Sequence, residues 1–332
     1  MLINIEQVII VILFFLCTLK MKENLRSKVA NISRDVTDCL RGIAILLVVI
    51  HHVGNYSGSS VFTPFGGVGV SIFLMLSGYG INESFQRKGL SDYWVNKVIR
   101  VVLPMLLVEV LGLILFERDI TFKEIVCHIF CIDRNWYIRY LFYWYIIYYL
   151  SARFWCNHIK EILLCSSVGM FLFLPEIEAE QSVSFVFGVL FSAYRKQVCL
   201  FIDSKNLFIL CIGTIICSSI FLATKQISVI RNYQGTYIYT LIQLIVKVSG
   251  ALGGICCVLI VLRNFCVPYF LHFIGLMSYE LYLVHCKLLF LVNEGQNEVN
   301  LILFYVLSFA MSYILYKFNG FSSKYLLSYF KK

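Results

Sequence analysis

An arginine and a histidine stand eleven residues apart in one apolar segment, at Arg41 and His52. At about 100° per residue, this spacing makes three helical turns and about 20° more, so both side chains share one stripe, about 16 Å apart along the axis. We expect Arg41 at a membrane interface and His52 about half the hydrocarbon thickness deeper. A neutral imidazole at that depth can accept the proton of an attacking hydroxyl group. The spacing alone is equally consistent with a structural histidine that bonds a neighbouring helix.

The next two apolar segments carry small residues and then cations. Gly66, Gly67 and Gly69 open a segment in which small residues recur at helical spacing, a pattern that favours close helix packing. Lys97 and Arg100 stand at the entry to the following segment. Cations in such a position can bind phosphate groups. Taken singly, each is also explained by the charge bias of membrane loops.

A polar stripe runs along the last apolar segment but one. Ser278, Tyr282 and His285 follow an i, i+4, i+7 spacing. Glu280 and Lys287 lie on a different side of the same predicted helix. Titratable groups inside a membrane are costly, so each is a functional candidate by default. One such group could simply bond a neighbouring helix, but several together predict a polar cavity inside a helix bundle.

The chain as a whole is too apolar for a soluble protein. Of its 332 residues, 60% are hydrophobic and 14% are charged, and the mean hydropathy is +0.81. A soluble chain of this length needs a charged shell, which 28 Lys and Arg and 19 Asp and Glu cannot supply. The apolar content also excludes a disordered chain. The composition therefore predicts an all-α, polytopic integral membrane protein.

Eleven apolar segments are predicted to be membrane helices, about ten in the core and one extra at the N-terminus. They are 5–19, 42–56, 66–85, 98–116, 136–155, 161–175, 182–194, 206–224, 237–262, 269–292 and 299–316. The first is predicted to be an uncleaved anchor, because Glu6 precedes its apolar run and no cleavage site follows. We divide the chain into an anchor helix and linker, 1–34, and a membrane domain, 35–332. The segment 121–132 is too short to span and is predicted to be interfacial or re-entrant.

Cysteine usage and charge distribution set further limits. The thirteen cysteines lie mostly in apolar runs, which predicts small buried hydrophobic residues and neither a disulfide framework nor a zinc site. Alternating loops place twenty Lys and Arg on one side of the membrane and six on the other. The positive-inside rule makes the first side cytoplasmic, with the N-terminus outside and the C-terminus inside. This bias accounts for most of the net charge of +9 without a nucleic-acid partner.

Taken in order, these motifs resemble those of the acyltransferase 3 family of multi-helix membrane acyltransferases, over about residues 35–316. The shared pattern is an Arg-x10-His helix, a Gly-Gly-x-Gly-Val-x-x-Phe-x-x-x-Ser-Gly helix, a basic-x-x-Arg entry before a proline, a Trp-led helix and a Ser-Tyr-x-x-Tyr-Leu-x-His helix. Here they are Arg41 to His52, Gly66 to Gly78, Lys97 to Pro104, Trp136-Tyr137 and Ser278 to His285. One short pattern matches apolar helices by chance, whereas the ordered set is specific.

The resemblance implies a ten-helix core that moves an acyl group, most often acetyl, from cytoplasmic acyl-CoA to a hydroxyl of a cell-surface or lipid-linked polysaccharide. It implies the bacterial cytoplasmic membrane, acetyl-CoA as donor substrate and no metal. His52 matches the essential histidine, as general base or transient acyl carrier, and Arg41 matches its paired arginine. Lys97 and Arg100 match the basic motif on the acyl-CoA side. The residues expected to contact substrate are Ser278, Tyr282, Glu280, His285 and Trp136.

The sequence departs from the family pattern at four positions. Lys97 replaces the usual arginine, Ser71 a common aspartate, Glu280 a serine and Val284 a frequent tryptophan. A lysine lacks the planar fork with which arginine binds a phosphate at two points. The other three changes bear on the acceptor more than on the chemistry.

A transporter or exporter of a glycan or small metabolite is the alternative prediction. Ten or more helices, glycine-rich helices and the intramembrane charges Glu109, Lys247 and Glu280 suit such a protein. The sequence shows no inverted repeat and no broken helices in matching halves, which weighs against it. Turnover of acetyl-CoA by the purified protein separates the two predictions.

Overall fold

The computed structural model describes most of the chain. The described residues are Val29, 32–56, 61–116, 135–264, 269–293 and 298–330. Within these ranges the backbone is almost entirely helical and contains no strand. The predicted anchor helix 5–19 and the short segment 121–132 lie outside the described residues.

Sixteen α-helices follow one another along the described part of the chain. They are α1 Arg34–Tyr56, α2 Thr63–Lys88, α3 Tyr93–Lys97, α4 Leu103–Phe116, α5 Trp136–Phe154, α6 Ile159–Phe173, α7 Glu176–Ala179, α8 Ser184–Ala193, α9 Arg195–Asp203, α10 Asn206–Gln226, α11 Ser228–Arg231, α12 Tyr237–Asn264, α13 Tyr269–Leu276, α14 Ser278–Leu288, α15 Phe290–Asn293 and α16 Glu298–Phe330. A π-helical turn, Val98–Val102, joins α3 to α4, so that one continuous helix carries the basic motif.

Six of the described helical stretches are long and apolar enough to cross a membrane. They are Arg34–Asn55, Thr63–Lys88, Tyr93–Leu115, Asn206–Gln226, Tyr237–Asn264 and Val299–Ser328. A further candidate is the pair Glu176–Ala193 and Arg195–Asp203, whose two parts meet at 88°. The prediction of an all-α membrane protein is confirmed. The count of ten core helices plus one, and the division of the chain after residue 34, remain predictions.

Helix α2 lies at the centre of the bundle, where it packs against α1, α8 and α12. Two glycines bring α2 and α8 into backbone contact. A Cβ added at Gly78 would overlap the Phe185 carbonyl, and one added at Gly188 would overlap the Met75 carbonyl. Helices in a membrane gain much of their association from such close van der Waals packing, so these glycines hold the centre together.

Helix α1 is fixed by a second pair of glycines. A Cβ added at Gly42 on α1 would overlap the Leu271 carbonyl on α13, and one added at Gly275 on α13 would overlap the Asp38 carbonyl on α1. Helix α14 begins directly after this crossing, at Ser278, and packs against α1, α4 and α16. The two motif-bearing helices, α1 and α14, therefore lie side by side.

The cysteines do not share one environment. Among the described residues, Cys39, Cys211 and Cys256 are buried, as the sequence predicts. Four others are exposed, namely Cys156, Cys165, Cys257 and Cys286. The prediction of buried cysteines is wrong for these four, because an apolar run also contains helix positions that do not pack against a neighbouring helix.

Candidate active site

Two imidazole rings meet where α1 packs against α14. The ring centroids of His52 and His285 are 5.2 Å apart. His285 is fully buried, and its Nδ1 donates a hydrogen bond to the Leu281 carbonyl, 2.8 Å away. Because a carbonyl oxygen can only accept, Nδ1 holds the proton, and Nε2 of the neutral ring carries a free lone pair. The site therefore contains a fixed proton acceptor beside His52.

A sulfur atom lies beside this histidine pair. The Sγ of Cys286 is 3.3 Å from Nε2 of His285, and the cysteine is exposed. One ligand atom from each of His52, His285 and Cys286 lies within 4.8 Å of the other two. Nitrogen and sulfur ligands suit zinc, so these three residues are the ones that could hold a metal in the described part of the chain. The expectation that the reaction of this protein needs no metal remains a prediction.

A third imidazole, that of His51, also packs against His52. The two ring centroids are 4.9 Å apart, in an edge-to-face arrangement. Nε2 of His51 lies 3.3 Å from the Asn55 side-chain nitrogen. A Cβ added at Gly66 would lie 2.5 Å from the His51 ring. The first glycine of the α2 motif therefore makes room for a histidine of α1.

One side of the bundle, which carries Arg41, Lys97 and Arg100, contains a cavity of about 920 Å³. We call it the basic cavity. Seven cations line it, namely Arg34, Arg41, Arg87, Lys88, Lys97, Arg100 and Arg195. Glu83 also lines it and pairs with Arg195 at 2.7 Å. The remaining excess of positive charge favours a ligand that carries several negative charges.

The three predicted cations of the basic cavity are held in different ways. Arg41 pairs with Asp38 at 2.6 Å and keeps 38% of its side chain exposed. The Lys97 ammonium lies 3.9 Å from the centre of the Tyr145 ring, a cation–π contact. Arg100 lies in the π-helical turn between α3 and α4, and such turns occur frequently at functional sites.

A line of hydroxyl-bearing and aromatic side chains joins the basic cavity to the histidines. Ser77 and Tyr145 line the cavity, and the Ser77 hydroxyl lies close enough to the Tyr145 and Tyr137 side chains to interact with both. The ring centroid of Tyr137 is 5.3 Å from that of Tyr282, which is 6.1 Å from that of His285. The predicted polar stripe of α14 is therefore connected to the cavity through α2 and α5. We call these four residues and His285 the aromatic line.

A family comparison decides what kind of site this is. The model of the acyltransferase 3 family, described as an acyltransferase domain, matches residues 36–317. The chain belongs to the acyltransferase 3 family. It is accordingly an acyltransferase, which requires an acyl donor and an acyl acceptor. Comparison with curated proteins and with solved structures gave no match.

Within this acyltransferase, most predicted site residues fall into two neighbouring groups. His285 adjoins both His52 and Tyr282, and Trp136 packs against the same line through Tyr137, at 6.3 Å between ring centroids. The second group is the three cations Arg41, Lys97 and Arg100, which share the basic cavity. The roles of the residues in both groups remain predictions. The structure shows only which of these residues lie next to one another.

Two predicted residues lie apart from these groups. Glu280 accepts a hydrogen bond of 3.0 Å from the Asn319 side chain, so its carboxylate is directed at α16. Ser278 is buried at the first position of α14. The part of either residue in substrate binding remains a prediction.

The intramembrane charges that suggested a transporter have partners in this acyltransferase. Lys247 pairs with Glu180, and Lys287 pairs with Glu109 at 2.9 Å. Ser71, at the position where the family often has aspartate, is buried and donates a hydrogen bond of 2.6 Å to Gln181. The contacts of Lys247 and Ser71 hold α12 and α2 against the turn between α7 and α8, and the Lys287–Glu109 pair joins α14 to α4, which gives these groups a structural role.

Sequence reasoning does not identify four residues of the acyltransferase site, namely Ser77, Tyr137, Tyr145 and Cys286. Tyr145 and Ser77 lie in apolar or small-residue runs and differ little from packing residues. Cys286 belongs to the cysteines that the sequence predicts to be buried, although it directly follows His285. That adjacency was the available signal, because a nucleophile next to a predicted site histidine is a candidate for covalent chemistry.

Proposed function

We propose that this acyltransferase moves an acetyl group from cytoplasmic acetyl-CoA to a hydroxyl of a cell-surface or lipid-linked polysaccharide. The observation that carries the proposal is the aromatic line, because it connects a cation-lined cavity to a pair of histidines. One end suits a donor with several phosphates, and the other end suits proton transfer. The two ends of one site thus match the two requirements of the reaction.

The basic cavity supports acyl-CoA as the donor. Coenzyme A carries several phosphate charges on one part and a thioester at the end of a long arm. Arg41, Lys97 and Arg100 would bind the phosphates by charge-assisted hydrogen bonds. The arm would then extend past Ser77 and along the aromatic line, which brings the thioester carbonyl toward His52.

His52 would act on the acceptor. In this proposal its imidazole removes the proton of the acceptor hydroxyl while the oxygen attacks the thioester carbonyl. Alternatively, His52 carries the acyl group transiently. Asn55 and Thr63, which are hydrogen-bonded to one another at 3.2 Å, provide polar groups at the end of α1 away from Arg41. A sugar entering there would meet the donor inside the bundle, so neither substrate crosses the whole membrane.

We place the protein in the bacterial cytoplasmic membrane, with the basic cavity and the C-terminus on the cytoplasmic side. The excess of Lys and Arg in the loops of that side supports the orientation, and acyl-CoA is a cytoplasmic metabolite. The acceptor would be presented from the outer side as an exported or lipid-linked glycan.

The test uses purified protein in lipid nanodiscs with acetyl-CoA labelled in the acetyl group. We expect release of free CoA together with transfer of label to an extracted cell-envelope glycan. In cells, NMR of the surface glycans should show acetate signals that disappear on deletion of the gene. A protein that exports glycan without acetyl-CoA turnover would contradict the proposal and support the transporter alternative.

A further inference from the structure

We propose that Cys286 carries the acyl group as a thioester between donor and acceptor, with His285 as the base that activates its thiol. This inference rests on the proposed acyl-CoA-dependent transfer and adds a covalent intermediate to it. It assigns the carrier role to a sulfur atom and leaves His52 as the base for the acceptor.

The geometry is that of an activated nucleophile. Such sites place a nucleophile within hydrogen-bond reach of a base, and a third group orients the base. Here the nucleophile is Sγ of Cys286, the base is Nε2 of His285 at 3.3 Å, and the orienting group is the Leu281 carbonyl at 2.8 Å from Nδ1. The bond at Nδ1 leaves the Nε2 lone pair available for the thiol proton.

The accessibility of the two side chains suits this division of labour. His285 is 0% exposed, so its ring is fixed by the surrounding helices. Cys286 is exposed, so a substrate can reach its sulfur. Tyr282, one turn earlier on α14, belongs to the aromatic line that leads from the basic cavity. The sulfur therefore lies near the point at which the thioester arm of the donor would arrive.

In the described part of the chain, Cys211 and Cys257 form a pair of thiols with no base beside them, and they can be compared with Cys286. The Sγ atoms of Cys211 and Cys257 are 3.3 Å apart, and Cys211 also contacts the Gly253 carbonyl at 3.8 Å. Neither a second thiol nor a carbonyl oxygen can take a thiol proton and hold it as an ion. Cys286, by contrast, faces an imidazole nitrogen that can.

The first half-reaction exchanges one thioester for another. The Cys286 thiol proton moves to Nε2 of His285, and the thiolate sulfur attacks the carbonyl carbon of acetyl-CoA. The bond from that carbon to the CoA sulfur breaks, and the leaving thiolate takes the proton from His285. Acetyl-Cys286 and free CoA result. No oxidant or reductant is required, because a thioester is present before and after.

The second half-reaction passes the acetyl group to the acceptor. His52 removes the proton of the acceptor hydroxyl, whose oxygen attacks the Cys286 thioester carbonyl. The bond from carbon to Sγ breaks, and the thiolate is reprotonated by the proton that His52 took up, passed through the adjacent His285 ring. The products are the acetyl ester of the sugar and the original thiol. CoA can leave before the acceptor arrives, so the two substrates need not occupy the bundle together.

The test is acid-quenched labelling of the full-length protein in nanodiscs with acetyl-CoA and no acceptor, followed by peptide mass spectrometry. We expect a neutral-hydroxylamine-labile acetyl group on the peptide that contains Cys286. The near-isosteric C286S variant should lose this adduct and transfer acetyl at least about 100-fold more slowly. The H52A variant should retain the adduct but fail to discharge it to acceptor.

C257S is the matched control, since it removes a membrane-helix thiol that has a sulfur neighbour and lies outside the site. It should label and transfer as the wild type does. Wild-type transfer together with label on a His52 peptide, or undiminished transfer by C286S, would overturn the inference and leave the proposed function standing. Stoichiometric zinc in the wild type that is lost in C286S would assign Cys286 as a metal ligand instead. Absence of any acetyl-CoA turnover would overturn both proposals.

Discussion

Two regions of this membrane protein hold polar side chains between helices, and they differ in how those side chains are satisfied. In the ion-pair region, formed by Lys247–Glu180 and Arg139–Glu178, each charge lies against an opposite charge. In the histidine region, formed by His52, His285 and Cys286, the groups are neutral or weakly acidic, and His285 keeps a lone pair for a thiol.

The difference shows where chemistry is possible in a low-dielectric interior. A buried ion pair is satisfied in the resting state, and removing one partner is costly, so it favours one arrangement of helices. The histidine region keeps proton acceptors that are not committed to a fixed charge. Such groups can take up a proton during a reaction and return it afterwards. We therefore expect a structural role for the ion-pair region and a catalytic role for the histidine region, and each prediction below tests that expectation.

The largest effect should follow loss of the imidazole next to His285. His52→Ala removes the proposed base for the acceptor hydroxyl and should lower acetyl transfer at least about 100-fold, since general-base catalysis contributes about 100- to 10,000-fold. The measurement is transfer rate per folded molecule in nanodiscs. His272→Ala is the control, because that histidine lies near Asp35 at 3.6 Å and away from the pair. Full activity of His52→Ala would remove the histidine region from catalysis.

The next largest effect should be on stability, in the ion-pair region. Lys247→Met leaves the Glu180 carboxylate, 6% exposed, without its cation, which should cost about 3–5 kcal/mol. Thermal unfolding in detergent would measure it. Adding Glu180→Gln should restore most of the loss, because no unpaired charge then remains. If Lys247→Met stopped turnover and left the unfolding temperature unchanged, the ion pair would belong to the chemistry and the comparison would fail.

A smaller effect is expected at the basic cavity. Lys97→Gln and Arg100→Gln should each raise the KM for acetyl-CoA about 10- to 100-fold, because a charge-assisted hydrogen bond contributes about 1.5–3 kcal/mol. The kcat at saturating donor should change little. Lys225→Gln, which removes a cation on α10 next to the Tyr239 ring, is the control and should leave the KM unaltered. A fall in kcat with no change in KM would place these cations at the reacting atoms.

The smallest effect should come from loss of His51, whose Nε2 already contacts the Asn55 side chain. His51→Ala removes a ring that contacts Asn55 and fills the space beside Gly66. The loss of one neutral hydrogen bond costs about 1 kcal/mol, so transfer should fall less than about 10-fold. The comparison of kcat for His51→Ala and His52→Ala under identical conditions measures the difference. Equal losses would show that the three imidazoles act as one unit.

Much of the fold class and part of the site follow from the sequence. Apolar composition confines the chain to membrane helices, and helical spacing puts Ser278, Tyr282 and His285 on one stripe because the 3.6-residue period is fixed by backbone geometry. The spacing also indicates which side of a helix carries each group. What it cannot supply is the partner on another helix.

The unpredicted features all depend on which helices become neighbours. Glu280 and Lys287 share α14, yet one binds Asn319 on α16 and the other pairs with Glu109 on α4. The basic cavity gains Arg195 from a helix far along the chain. Such pairings depend on backbone contacts such as those of Gly78 and Gly188. The sequence does not show which carbonyl group each glycine will contact.

The π-helical turn at Val98–Val102 has a consequence for how this enzyme can tolerate change. A π-helical turn contains one more residue than an ordinary helical turn. It therefore rotates the side chains of α3 around the helix axis relative to those of α4. Deleting a single residue there would restore a regular helix and rotate Lys97 by about 100°, away from the Tyr145 ring, while α4 kept its outward-facing surface. If Lys97 binds the donor as proposed, a change in this turn would alter the donor site and leave the membrane-facing side of the same helix in place.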